Sequence, residues 1–289
     1  MQTLKTIIGA KWDRSARSNL RNWWDSEYLR HYISEQICGE AGLEWGVPVA
    51  LRRHLGDRRL PRGLSIGCGN SYKEMALLKA GTVERFDLLD FSPLIASGAE
   101  AALAQHGLSE RAAFLEANPL ESPARRMYDL IYWDHSLHHM SDVRATLEWC
   151  RDSLLPGGIV CINDYVGPSR LQWTGDEVEA VNEQLRRLEA KYGIQIPKTR
   201  KGNILRRLRQ IVKDPSEAPE SHLIEWAASI VFSGFKLRPL GGAMLNMSGV
   251  MVMNLPAIPP GLIEDFAAAD QKCLADGVYH FAFGMWQSS

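Results

Sequence analysis

The stretch Leu64-Ser65-Ile66-Gly67-Cys68-Gly69-Asn70-Ser71 is a short apolar run that stops on G-x-G and leads into a helical pattern. Such a run is a strand turning into a helix, the place where doubly wound α/β proteins hold a nucleotide-like ligand. Gly67 and Gly69 allow the backbone to come close to that ligand. The next apolar run, Phe86-Asp87-Leu88-Leu89-Asp90, ends on a carboxylate 21 residues after Gly69, and a carboxylate there can accept both hydroxyls of a ribose. A lone G-x-G is equally a packing device between strand and helix. The spacing to Asp90 makes the pair informative.

The rest of the turn discriminates between ligands. A pyrophosphate binder places a third glycine where this chain has Tyr72, so that the phosphates can rest on the helix N-terminus. The bulk of Tyr72 disfavours NAD and FAD. A nucleoside without phosphates, such as S-adenosylmethionine, needs the close approach and the ribose carboxylate but no phosphate cradle.

With these motifs in order, the chain resembles class I S-adenosylmethionine-dependent methyltransferases from about Gly63 to Val166. Leu64 to Gly69 matches the first motif, Asp90 the ribose-binding acid and Ala117-Asn118 the adenine corner. Tyr128 to Asp134 matches the fourth strand, and Leu155-Pro156-Gly157-Gly158 the turn before the fifth. The resemblance implies S-adenosyl-L-methionine as cofactor, with contacts from Ser65, Gly67, Cys68, Gly69, Asn70, Asp90, Phe91, Asn118, Pro119, Trp133 and Asp134. Two positions depart from the family: it usually has an acid at Ser65, and Asp is commoner than Asn118. A serine hydroxyl still hydrogen-bonds, and the Asn amide offers a donor and an acceptor to an adenine edge.

At 289 residues and 45% hydrophobic composition, the chain can bury one large core with segments to spare. A net charge of −1 argues against a dedicated nucleic-acid binder. Cys38, Cys68, Cys150, Cys161 and Cys273 lack a C-x-x-C pair and read as reduced thiols of a cytoplasmic protein without a structural zinc. Thr6 to Ala10 is too short for a signal-peptide core, and no run approaches the roughly 18 apolar residues that span a bilayer.

The expected fold is α/β: a doubly wound, mostly parallel seven-stranded sheet with a reversed C-terminal hairpin, an N-terminal helical cap and a helical lid insert. The expected units are a cap at 1–60, a Rossmann-like core at 61–165, the lid at 166–221 and the rest of the core sheet at 222–289. In the cap, Leu20, Trp24, Tyr28 and Tyr32 fall at helical spacing as an aromatic stripe, either core or a cover over the ligand. A helix from Asp142 to Leu154 repeats Val143, Leu147, Cys150 and Leu154, with Ser141 placed as its cap. In the lid, Val178, Val181, Leu185 and Leu188 mark one helix and Ile204, Leu205, Leu208, Ile211 and Val212 another. Met244, Met247 and Met251 repeat near the end as core or as a deformable surface.

The chemistry concentrates in Asp134-His135-Ser136-Leu137-His138-His139, directly after the fourth strand. If a helix begins there, Asp134 shares a face with His138, and His135 shares one with His139. The Asp134 carboxylate would then fix the His138 tautomer and leave the other nitrogen to take a proton; alternatively, these histidines pack or cap. A metal held by His135 and His139 lacks a third ligand. Tyr165 and Asp164, at the end of the fifth strand, either orient an acceptor or simply finish the strand. The segment Lys198-Thr199-Arg200-Lys201 with Arg206, Arg207, Arg209 and Lys213 is a solvated face or a recognition surface for an anionic acceptor. The sequence thus points to methyl transfer to an oxygen or nitrogen of a small-molecule or glycan-like acceptor, oxygen preferred, without membrane or nucleic-acid partner and with a homodimer left open. The competing readings are a non-catalytic or RNA-binding module with the same fold and an S-adenosylmethionine enzyme doing other chemistry.

Overall fold

The computed structural model describes residues 19–203, 208, 211, 212 and 214–289. Seven strands form one sheet: β1 (Leu60–Ile66), β2 (Val83–Leu89), β3 (Ala112–Phe114), β4 (Tyr128–Asp134), β5 (Leu154–Tyr165), β6 (Arg238–Gly241) and β7 (Phe281–Gln287). Their order is β3-β2-β1-β4-β5-β7-β6. The pairs among β1 to β5 are parallel, and β7 is antiparallel to both β5 and β6. The sheet therefore has the expected class and a reversed C-terminal pair. Two helices, α8 (Ala243–Met253) and α9 (Leu262–Ala275), separate the partners of that pair.

Both faces are covered, so the central strands read as continuous apolar runs. Leu130, Tyr132, Ile159, Cys161, Phe281 and Phe283 point into one core. Their neighbours Ile131, Trp133, Val160, Ile162 and Ala282 point into the other. The first core is closed by α1 (Glu27–Cys38), α2 (Gly46–Leu55), α3 (Tyr72–Lys79), α6 (Gly175–Tyr192), α8 and α9. The second lies under α5 (Val143–Ser153) and α7 (Ile224–Val231). In α5 the repeat Val143, Leu147 and Cys150 is fully buried; the two aliphatic side chains contribute about 1.5–3 kcal/mol each. Its cap is Asp142 rather than Ser141, because the Asp142 carboxylate accepts from the Ala145 amide. The remaining helix, α4 (Pro93–Gln105), starts on Ser92.

The aromatic stripe of the cap is corrected. Residues 23–25 form a separate 3-10 turn, and the Ser26 hydroxyl starts α1 afresh by accepting from Leu29. That restart turns Leu29, Tyr32, Ile33 and Ile37 inward and leaves Leu20, Trp24 and Tyr28 exposed. In α6, Val181, Leu185 and Leu188 are buried, and so are Met244 and Met247 in α8. Thr199 exchanges two hydrogen bonds with the Asn182 side chain and donates to the Met247 carbonyl. Residues 204–207, 209, 210 and 213, with four of the basic positions, and Thr6 to Ala10 lie outside the described residues. Among the described residues no helix is long and apolar enough to cross a membrane.

Asp270 of α9 joins the two ends of the chain. It is fully buried and accepts from the Tyr32 hydroxyl at 2.9 Å, the Gly242 amide at 2.7 Å and the Met244 amide at 2.8 Å. Asp270→Ala leaves three buried donors without an acceptor. The expected loss of folding stability is about 3 kcal/mol or more, read as a lower midpoint in urea unfolding.

Candidate active site

The carboxyl ends of the parallel strands β1, β2, β4 and β5 lie at one edge of the sheet. There Gly67 and Gly69 have φ of 71° and 55°, the left-handed region in which glycine is unstrained. A Cβ on Gly67 would lie 2.6 Å from the Ser136 Cβ, whereas one on Gly69 would meet nothing within 4 Å. The turn is thus tight against the protein on one side and open on the other. Asp90 fastens it, accepting from the Gly69 amide at 3.0 Å and the Ser92 amide at 2.8 Å. Phe91 is partly buried against the second core, and Cys68 against the first. Asn70 is exposed. Asn118 uses its side-chain oxygen to cap the turn at Pro119–Glu121, accepting from Leu120.

Ser65 donates to Glu74 of α3 at 2.7 Å. Asp134 ends β4, where it pairs with Lys73 and accepts from the Asn163 amide. Trp133 points the other way: it is fully buried and donates to the Cys150 sulfur of α5. The structure therefore brings Ser65, Gly67, Gly69, Asp90 and Asp134 together and turns Trp133 away from them.

The histidine stretch differs from the helix expected. Residues 137–139 form one 3-10 turn, and His135 before it has φ of 54°. The partner of His138 is consequently Asp164 of β5, not Asp134, at 2.5 Å from Nδ1. Asp164 is fully buried and also accepts from the amides of Ser136, Leu137 and Tyr165. Burial pushes its carboxyl up, but the His138 imidazole and these donors outweigh that and hold it below the usual range. As an ionised acceptor, Asp164 fixes the proton of His138 on Nδ1. Proton exchange at His138 is thereby confined to Nε2, which stands 3.9 Å from Glu217 Oε1.

His139 donates Nδ1–H to the Ser216 carbonyl at 3.0 Å. Its ring packs on His138 with centroids 4.1 Å apart. His135 stands between Trp23 and Phe281, at 6.3 and 4.9 Å from their centroids. Burial lowers the pKa of both histidines, that of His139 to about 4. Tyr165 packs edge-on to His138 at 5.9 Å and gives its hydroxyl to the Pro168 carbonyl. Among the described residues no cluster of side chains could hold a metal ion. Lys198 of the basic segment pairs with Glu189.

Sequence reasoning missed Glu74, Lys73, Asn163 and Glu217. Glu74 left a trace, since it stands three and four residues before Leu77 and Leu78 on the buried helix face. The segment carrying Ser216 and Glu217 reads as a loop from Asp214 to Ser221, but nothing in its sequence ties it to the histidines. It is held by Arg170, whose guanidinium donates to the carbonyls of Pro215 and Glu217.

Since His139 is held neutral in the folded state, acid must charge it on unfolding. Its stabilising effect is present above its ordinary pKa and lost as pH falls toward about 4. His139→Gln is therefore expected to flatten the fall of Tm between about pH 6.5 and about pH 4; a curve parallel to wild type contradicts this.

Residues 64–160 match the model of a family described as a methyltransferase domain. No curated protein sequence matches the chain. Among solved structures it is similar to Haemonchus contortus phosphoethanolamine N-methyltransferase 2, in complex with phosphomonomethylethanolamine and S-adenosylhomocysteine. The identity is 11%, with 100% of this chain and 60% of that one covered and a TM-score of 0.55. It is also similar to geranyl diphosphate C-methyltransferase from Streptomyces coelicolor A3(2), in complex with Mg2+, geranyl diphosphate and S-adenosylhomocysteine. There the identity is 11%, the coverage 100% and 99%, and the TM-score 0.53. A third is the [4+2]-cyclase SpnF, at 13% identity, 99% and 97% coverage and a TM-score of 0.51. At such identities the likeness is one of fold. Residues 64–160 thus match a methyltransferase-domain model, and the chain that carries them has the fold of class I S-adenosylmethionine-dependent methyltransferases.

Proposed function

We propose that the chain is an S-adenosylmethionine-dependent methyltransferase acting on a hydroxyl, or secondarily an amine, of a small-molecule or glycan-like acceptor, with His138 as base. The observation that carries the reading is the Asp164–His138 pair beside the glycine turn. The residues also fit the cofactor. The Ser136 hydroxyl and the Asn163 Oδ1 are buried without a hydrogen-bond partner, and each costs about 1–3 kcal/mol until a polar ligand or water satisfies it. Ser136 meets Gly67, and Asn163 stands near the end of β5.

In this reading Gly67, Cys68, Gly69 and Asn70 hold the amino-acid part, Asp90 the ribose and Asn118 the adenine edge. The bound cofactor supplies a methyl group on a sulfonium. The protein places the acceptor and moves its proton. Asp164 keeps His138 in the tautomer whose Nε2 takes the hydroxyl proton, and Glu217 steadies the imidazolium that forms. A hydroxyl is preferred because it gives this base a proton to remove. An anionic acceptor gains nothing from Lys198, which is committed to Glu189.

Calorimetric titration should detect S-adenosylhomocysteine and not NADH, and Asp90→Ala should weaken that binding at least about tenfold. Preference for NADH would overturn the cofactor. With an acceptor found by screening, His138→Gln and Asp164→Asn should each slow single-turnover transfer about 100-fold or more and remove the rise of rate with pH. An unchanged rate and profile in both would eliminate the base. Mass analysis of the product settles the reaction class: a product with no added methyl that still requires the cofactor would mean other chemistry.

A further inference from the structure

The wall of the glycine turn contains a carboxylate that this mechanism leaves idle. Glu74 is 3% exposed and held by the Ser65 hydroxyl, whose strand position pairs in register with Tyr132 of β4. Among the described residues, three carboxylates, Glu74, Asp90 and Asp134, and one ammonium, Lys73, stand around the turn. Lys73 is engaged by Asp134 and lies over the Trp45 ring at 5.5 Å. Asp90 accepts from two backbone amides. Glu74 is instead held by a neutral hydroxyl, so with Glu74 ionised these described groups carry a net negative charge. A partly buried turn with that balance favours a cation.

We propose that Glu74 is a positioning residue that sets the charge of the turn through Ser65 and selects the cationic sulfonium cofactor over its thioether product. The inference rests on the S-adenosylmethionine reading above and adds the residue that discriminates between the two forms.

Its protonation makes the proposal measurable. Burial, with the Asp134 carboxylate adding to it against the Ser65 bond, pushes Glu74 up to about 7. The groups facing it are Ser65 on β1, Cys68 in the turn, Lys73 on its own helix, and Tyr132 and Asp134 on β4. Cys68 and Tyr132 are raised far above neutrality, burial being the main cause, and stay uncharged. A cation in the turn favours ionised Glu74, so binding near neutrality expels a proton and tightens as pH rises. If the cation draws Glu74 down by about two units, affinity climbs about tenfold between about pH 6 and about pH 8. The thioether has one positive charge fewer and responds less.

The stability effect has the opposite sign. A carboxyl raised from 4.5 to about 7 costs folding stability progressively between those pH values and no further above them. Glu74→Gln should therefore equal or exceed the wild-type Tm throughout about pH 6 to about pH 8, which separates lost selectivity from misfolding.

The test is calorimetry with S-adenosylmethionine and S-adenosylhomocysteine across that range, in two buffers of different ionisation enthalpy. The wild type should release a proton with the sulfonium compound and bind it about tenfold more tightly at the upper pH. Glu74→Gln should show neither effect and lose most of the preference for the charged form. Ser65→Ala, which removes the donor to the carboxyl, should move the midpoint upward. A Glu74→Gln protein that keeps both the pH slope and the preference overturns the proposal, as does a wild type that binds both compounds without pH dependence. Binding of neither compound overturns this inference together with the cofactor reading.

Discussion

One buried carboxylate organises the site. Asp164 leaves water entirely, a loss that only several well-placed donors can offset. It finds them in three backbone amides and an imidazole. Two of those amides belong to the segment after β4, so the same bonds that keep Asp164 ionised fix where β4 must turn and which way His138 faces. The left-handed His135 follows, because its amide is bonded to the Asn163 carbonyl on β5 while the next two amides reach Asp164.

Other segments close on that centre from far along the chain. Phe281 of β7 and Trp23 of the N-terminal turn pack on His135, and Asp270 joins α1 to the turn at Gly241-Gly242 and to the start of α8. The placement of the N-terminal turn and α1 thus depends on the last strand and on a helix near the C-terminus. On the other side, Arg170 holds the loop of Ser216 and Glu217 against the two histidines. Arg170 and Ala218 both take positive φ, at 55° and 46°, where the Arg170 amide donates to the Ala218 carbonyl. Strain of this kind persists where surrounding contacts over-determine it.

Much of the fold was legible because periodicity reports burial. The runs at Leu64, Phe86, Tyr128 and Ile159 are covered on both faces and stay apolar throughout, and the α5 repeat is an inward stripe. The turn at Gly67 was legible for a related reason, since few residues other than glycine suit its geometry. Partner choice was not legible. From Asp134 and His138 alone, spacing suggests a dyad, but a helix is required to realise it. The strand end instead commits Asp134 to Lys73 and Asn163, and a residue 26 positions away from His138 takes its place. Likewise the carboxylate missing at Ser65 is present nine residues later, bonded back to it. The exposed aromatics of the cap show the converse limit: helical spacing says nothing when a serine cap restarts the helix between them.

The charges differ between the glycine turn and the histidine segment. Among the described residues around the glycine turn, carboxylates outnumber the one ammonium, Lys73. Around the histidines, burial keeps His135 and His139 neutral, so the imidazole held by Asp164 is where positive charge can form. A proton taken there is stabilised by Asp164 on one side and Glu217 on the other. Neutral neighbours matter for that: a charged His139 only 4.1 Å away, ring to ring, would oppose a second charge on His138. The low pKa of His139 is therefore more than a consequence of packing, because it removes a competing cation from beside the His138 imidazole.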